Sequence, residues 1–271
     1  MAGCNKCGMS DLYDGVYLDR GICNQCIEFG MNKHFQNIRP VILCRGGKTY
    51  SGKQFRSDVP GDNIVDVLSE YEKNGVTDAI VFSLNGLIDY DLALKICSFD
   101  ICLTIGGGVK DMDDVGQLFR AGAHRVAINS CLTGSDLLED ASAKWGNISA
   151  VIDVNKGLVT QCKQAFELLS VTPSIWAHRL QSRGATEIIL QCINREGTKE
   201  GYDHNLIREV STAVRVPVVA VSGCSGIPDA IRAYFHSGAD AIGCGSVFRE
   251  DSSAPRRFAE AFMNRDFTCG S

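Results

Sequence analysis

From Asn37 onward the chain alternates between two hydrophobic patterns. Apolar runs of five to eight residues are separated by amphipathic stretches of ten or more. The runs predict strands over 38–44, 78–84, 100–105, 124–128, 148–153, 186–192, 216–221 and 240–244. Helical periodicity falls between them, for example over 61–74, 111–121, 203–213 and 227–237. Strands that are apolar at nearly every position are buried on both faces, as in parallel sheets covered by helices. Eight such units favour an α/β fold closed into a (β/α)8, or TIM, barrel over an open sheet. The length of 271 residues suits that fold, which takes about 250 residues.

An internal repeat sharpens the expectation. The segment IGGGVKDMDDVGQLFRAGAHRVAINS (105–130) superposes without a gap on VSGCSGIPDAIRAYFHSGADAIGCGS (221–246), at a constant offset of 116 residues. Gly107 meets Gly223, Asp113 meets Asp229, and Ser130 meets Ser246. Each copy reads strand, Gly-rich turn, helix, Gly-Ala, strand and small polar turn, as expected of a barrel built from two similar halves. The expected barrel domain is 37–264.

Residues 1–30 break this rhythm. They are rich in Cys, Gly and Asp and show no sustained periodicity. Cys4-x2-Cys7 and Cys23-x2-Cys26 offer two pairs of thiolates, the spacing of a closed tetrahedral Cys4 zinc site. A redox CxxC is the rival reading. The expectation is a structural zinc knuckle at 1–30, with Cys4, Cys7, Cys23 and Cys26 as ligands, and no organic cofactor.

Composition narrows the partners. Hydrophobic residues make up 45% and charged residues 22%, enough to bury a large core. The net charge is −5 with no Lys/Arg run, which disfavours a nucleic-acid partner. No apolar stretch approaches the ~18 residues of a membrane span, and the N-terminus does not read as a signal peptide. An odd total of thirteen cysteines without a secretion signal argues for reduced thiols and a cytoplasmic protein.

The repeat also places candidate chemistry. Gly106, Gly107 and Gly108, then Asn129 and Ser130, lie at consecutive strand ends in the first copy. Ser222 and Gly223, then Gly245 and Ser246, do so in the second. Glycine lets backbone N–H groups approach an anion closely, and a following helix adds a favourable dipole. Two such cradles on opposite sides of a barrel mouth would suit a small molecule with a phosphate at each end. The rival reading is that the glycines only permit tight turns. The five histidines, His34, His124, His178, His204 and His236, show no metal-ligand spacing. Trp145 and Trp176 read as packing residues. Arg45, Lys48 and Lys53 lie on a Gly-rich first loop that is either a lid over the mouth or a solvated loop.

Five motifs, in order along the chain, carry a family resemblance: TIGGGV, VAINS, VIDVN, INREGTKEGYD and AIGCGSVF. Over residues 37–262 the chain resembles the cyclase subunit of imidazole glycerol phosphate synthase. That family takes ammonia from a partner glutaminase through the barrel to a bis-phosphorylated substrate. The resemblance implies that Asp153 is the fifth-strand catalytic carboxylate, an acid/base group. Asn155, two residues on, would share its face. It also implies that Glu196 and Gly197 contact the second phosphate, where Cys224 replaces a family glycine. Leu43 stands where the family has a first-strand catalytic aspartate, and Leu84 where it has a second-strand one. Arg125 and Glu187 match two of four charged residues that gate the ammonia path, with Asn37 and Ala79 at the other two positions. An ordinary salt bridge at the barrel base is the alternative for Arg125 and Glu187.

Pro40-Val41-Ile42-Leu43 is similar to a paralogous group associated with sugar amidation. CNKCGMSDLYDGVYLDRGICNQC resembles the start of N-acetyl-sugar amidotransferases. These likenesses imply a barrel subunit that uses or channels glutaminase-derived ammonia to amidate a sugar for surface polysaccharide, with a sugar amidotransferase as a further partner. Two alternatives remain. One is a histidine-biosynthesis cyclase that forms imidazole glycerol phosphate. The other is a non-catalytic scaffold that only channels ammonia.

Overall fold

A computed structural model of the chain describes residues 18–19, 22–23, 37–53, 59–84, 86–129, 136–160 and 171–268; it gives backbone alone for 18–19, 22–23 and 265–268. Cys4, Cys7, Cys26 and Ser130 lie outside the described residues, and Cys23 is described by its backbone. Two short antiparallel strands, β1 (Leu18–Asp19) and β2 (Ile22–Cys23), precede the main body.

Eight parallel strands form the barrel. In chain order they are β3 (Ile38–Arg45), β6 (Asp78–Ser83), β7 (Cys102–Gly106), β8 (Arg125–Asn129), β9 (Ile148–Asn155), β11 (Glu187–Cys192), β12 (Val218–Val221) and β13 (Ala241–Cys244). Neighbours in sequence are neighbours in space, and β13 pairs with β3 to close the ring. The expected barrel is therefore present, with strand boundaries within two residues of those read from the apolar runs.

Helices α1 (Ile64–Lys73), α2 (Tyr90–Ile96), α3 (Met112–Arg120), α4 (Leu137–Trp145), α5 (Pro173–Ser182), α6 (His204–Ala213) and α7 (Ile227–Ser237) cover the strands. A short α8 (Ser246–Glu250) and α9 (Ala254–Thr268) follow. Carboxylate or amide caps start several of them. Asp111 Oδ1 accepts from the backbone of Asp113 and Asp114 at 3.0 Å, and Asn63 Oδ1 accepts from Val65 at 2.9 Å. Such caps satisfy backbone donors that have no partner within the helix.

One expectation is corrected. The helical pattern at 61–74 begins as strand: β5 (Val59–Asn63) pairs with β4 (Lys48–Ser51), which pairs antiparallel with the end of β3. The first loop is thus a β excursion from the rim, and Arg45 lies over the Tyr50 ring at 4.3 Å. A smaller addition, β10 (Leu158–Val159), folds back on β9.

Two apolar layers hold the barrel. Inside it, Ile80, Phe82, Ala127, Val151, Ile189 and Val219 pack with Val41 and Leu43. Between strands and helices lies a larger core that includes Ile38, Leu68, Leu103, Ile152, Ile188 and Ile242. Alternate residues of each strand enter alternate layers. The same alternation decides which side chains reach the mouth. Among the described residues, no helix is long and apolar enough to cross a membrane.

Candidate functional site

Strand order puts the two Gly-rich ends on opposite sides of the mouth. β7 and β8 are the third and fourth staves, and β12 and β13 the seventh and eighth. The repeated glycines also share geometry. Gly107 has φ +87° and Gly223 has φ +92°. A Cβ on Gly107 would lie 2.4 Å from the Ser83 carbonyl oxygen, and one on Gly223 would lie 2.5 Å from that of Gly201. Both positions therefore need glycine for conformation and for close backbone approach. Ser222, just before Gly223, holds φ +81°, a region costly for a residue with a side chain.

Asp153 lies on β9, the fifth stave, between the two ends, and its side chain is buried. Asn129, from the first cradle, donates from Nδ2 to Asp153 Oδ2 at 2.8 Å. Leu43, on the inner face of the first stave, packs in the apolar layer inside the barrel and lines the cleft of the second cradle. One carboxylate therefore faces the axis from β9, and an isobutyl group faces it from β3. Buried Gln191 stands beside Asp153 in register on β11. A lone glutamine inside an apolar strand forms no motif, so the sequence does not single out Gln191.

The second cradle is a cleft shared by Leu43, Glu196, Gly197, Ser222, Gly223 and Ser246. Ser222 Oγ donates to Glu196 Oε2 at 2.7 Å. Burial pushes the Glu196 carboxyl above the ordinary carboxylate range, and the Ser222 hydrogen bond opposes this in part. The β excursion reaches the same cleft through Thr49, Tyr50 and Gly52. A Cβ on Gly197 would lie 2.0 Å from the Gly52 carbonyl oxygen, so the excursion packs against this turn.

The opposite end of the barrel differs from the expectation. Arg125 and Glu187 do lie there, joined by two further charged residues, Arg39 and Asp78. Arg39 Nη1 is 2.7 Å from Glu187 Oε2, Arg39 Nε is 3.9 Å from Asp78 Oδ1, and Arg125 Nη1 is 3.4 Å from Asp78 Oδ1. Arg125 Nε is 3.9 Å from Glu187 Oε2, and Ser149 Oγ donates to Glu187 Oε1 at 2.8 Å. Two arginines and two carboxylates thus form a ring across the base. Asn37 instead donates to Tyr234 Oη at 2.7 Å, and Ala79 packs in the outer core. Burial pushes Asp78 upward, against the pull of Arg39 and Arg125. On the inner side of β7, Thr104 Oγ1 is buried without a hydrogen-bond partner among the described residues.

Other sequence expectations resolve as packing. His204 lies between Asp229 Oδ1 at 2.9 Å and Ser237 Oγ at 3.0 Å. Trp145 stacks on Phe119. Among the described residues, no cluster of three or more His, Cys, Asp or Glu side chains could hold a metal. A family model described as "Histidine biosynthesis protein" matches residues 37–253, a span that covers the eight barrel strands and the residues of both barrel ends.

Proposed function

As the chain belongs to the histidine biosynthesis protein family, we propose that it is a cyclase-type subunit that uses or channels ammonia from a partner glutaminase, in amidation of a sugar for surface polysaccharide. The carrying observation is the inventory of the mouth: two opposed glycine cradles, one axial carboxylate at Asp153, and Leu43 in place of a second.

The chemistry follows from the placement. The cradles, Gly107, Gly108 and Asn129 on one side and Glu196, Gly197, Ser222, Gly223, Gly245 and Ser246 on the other, hold the anionic ends of a phosphorylated ligand. Ser130 joins the first cradle by its place in the repeat. Asp153 accepts or returns a proton at the ligand's reacting centre, and Asn129 fixes its rotamer. Leu43 has no proton to move, so the ordinary two-carboxylate cyclisation lacks a partner for Asp153. The ring of Arg39, Asp78, Arg125 and Glu187 stands at the base as the gate. Ammonia is small and neutral, and it can both donate and accept hydrogen bonds. The hydroxyl of Thr104 inside the barrel, which has no hydrogen-bond partner among the described residues, suits such a guest. The four N-terminal cysteines form a zinc knuckle that docks the partner, and a sugar amidotransferase is a further candidate partner.

Two readings compete. The family match favours an authentic histidine-biosynthesis cyclase. Leu43 favours a scaffold without catalysis of its own. Substituting Asp153→Asn in the complex reconstituted with its glutaminase and amidotransferase tests the scaffold reading. The expected result is a loss of ammonia-dependent product formation of about 10²–10⁴-fold, the usual weight of a general acid/base. Unchanged turnover would establish the scaffold reading. The histidine reading requires the gene to rescue a strain lacking the cyclase; no rescue is expected.

A further inference from the structure

Each glycine cradle is tied to the segment that follows the preceding stave, and the two ties are built alike. Behind the first cradle, Asp114 is the third residue of α3. Its Oδ2 accepts from the backbone N–H of Lys110, four residues back, at 2.8 Å, and its Oδ1 accepts from the Tyr90 hydroxyl. Tyr90 is the first residue of α2, the helix after β6. Behind the second cradle, Asp229 is the third residue of α7. Its Oδ2 accepts from the backbone N–H of Ser225, again four residues back, at 3.0 Å. Its Oδ1 lies 2.9 Å from His204 Nε2, and the Tyr202 N–H reaches both oxygens, at 3.3 and 3.1 Å. His204 is the first residue of α6, the helix after β11.

The segments joined by these carboxylates are the ones that meet at the glycines. Gly107 packs on the Ser83 carbonyl and Gly223 on that of Gly201. The Gly201 N–H also donates to the Gly223 carbonyl at 2.8 Å.

We propose that Asp114 and Asp229 are the positioning residues of the first and second anion cradles, each fixing its glycine turn against the preceding segment so that the turn is pre-formed for a phosphate. The phosphate part rests on the function proposed above; the two ties do not.

The ungapped repeat pairs Asp229 with Asp113 instead. The helices explain the shift of one residue. The cap of α3 is Asp111, four residues after Gly107, whereas the cap of α7 is Gly226, three residues after Gly223. Asp113 has a side chain 75% exposed and meets Gln117 and Arg120 of its own helix. A carboxylate at the third helical position commonly reaches back to a backbone donor at the cap. Asp114 and Asp229 reach one residue further, into the cradle turn, and spend their other oxygen on the neighbouring segment. A turn held from both sides binds an anion without a further ordering cost.

The two ties differ in what can replace them. Asn at 114 keeps an oxygen for the Lys110 N–H and offers an N–H to the Tyr90 oxygen, which accepts as well as donates. Asp229 meets backbone N–H donors on both oxygens. Asn there sets an amino group against a donor.

The test uses the full chain, with inorganic phosphate as probe and amide hydrogen exchange as a measure that needs no ligand. Asp114→Ala and Asp229→Ala should each weaken one of two phosphate sites about tenfold, the scale of a lost hydrogen bond or two. The double variant should weaken both. Asp114→Asn should restore its site, and Asp229→Asn should not. Tyr90→Phe and His204→Ala cut the same ties from the other side and should act in the same direction, also if an aspartate variant does not fold. Without phosphate, Asp114→Ala should speed exchange at 86–90 and 107–111 and leave 200–204 and 222–226 at the parent rate, and Asp229→Ala should do the reverse. Exchange that rises everywhere, or nowhere, would overturn the ties. Local exchange with unchanged phosphate affinities would overturn the positioning role. If the parent chain binds no phosphate, the cradle reading fails and the positioning role with it, while exchange still decides the ties.

Discussion

Glu196 shows how one side chain couples the site to the stability of the molecule. Its carboxyl is raised by burial in the cleft, with Ser222 as donor. A carboxyl whose folded value exceeds its unfolded value binds more protons in the folded state. Its favourable contribution is present below the unfolded value and is lost as pH rises through the folded one. Glu196→Gln keeps an acceptor for Ser222 and cannot ionise. The stability of the variant relative to the parent should therefore rise between acid and neutral pH and then level off, as read by denaturant midpoints across that range. A difference that is flat with pH would mean that the carboxyl is solvated in the folded protein. Asp153 was legible in the sequence from the VIDVN motif. Arg39 and Asp78 were not legible, because their membership of the ring depends on which residues of β3 and β6 face inward, and a shift of one or two positions moves the assignment to Asn37 and Ala79.

At the scale of elements, apolar runs and the repeat located the barrel strands and most helices well. The internal match at 105–130 and 221–246 corresponds to β7–α3–β8 and β12–α7–β13. The excursion of β4 and β5 is not legible in the sequence because KTYS and VPGDN lack a sustained apolar alternation. Their pairing comes from the adjacent end of β3 and not from their own composition. The knuckle expected at 1–30 is read from cysteine spacing alone, and apart from the residues of β1 and β2 that segment lies outside the described residues. Deleting residues 1–30 should abolish assembly with the partner subunits while leaving the thermal unfolding of the barrel intact. Size-exclusion chromatography of the mixed proteins checks the first expectation, and calorimetry of the shortened chain checks the second. A folded deletion variant that still assembles would end the docking role.

Across the whole molecule, the two ends of the barrel divide the work. The mouth is formed by glycine turns that hold their shape through close backbone contacts. The base is closed by Arg39, Asp78, Arg125 and Glu187, whose charges are largely removed from water. Removing one partner from a buried ionic set leaves the others uncompensated, so Glu187→Ala should destabilise the fold by about 3–5 kcal/mol, measured by denaturant unfolding. The central claim concerns the mouth and can be tested by calorimetric titration of the reduced full chain with inorganic phosphate. Two sites per chain are expected, with Gly107→Ala removing one and Gly223→Ala removing the other. A single site, or two sites that survive both substitutions in folded protein, would contradict the account.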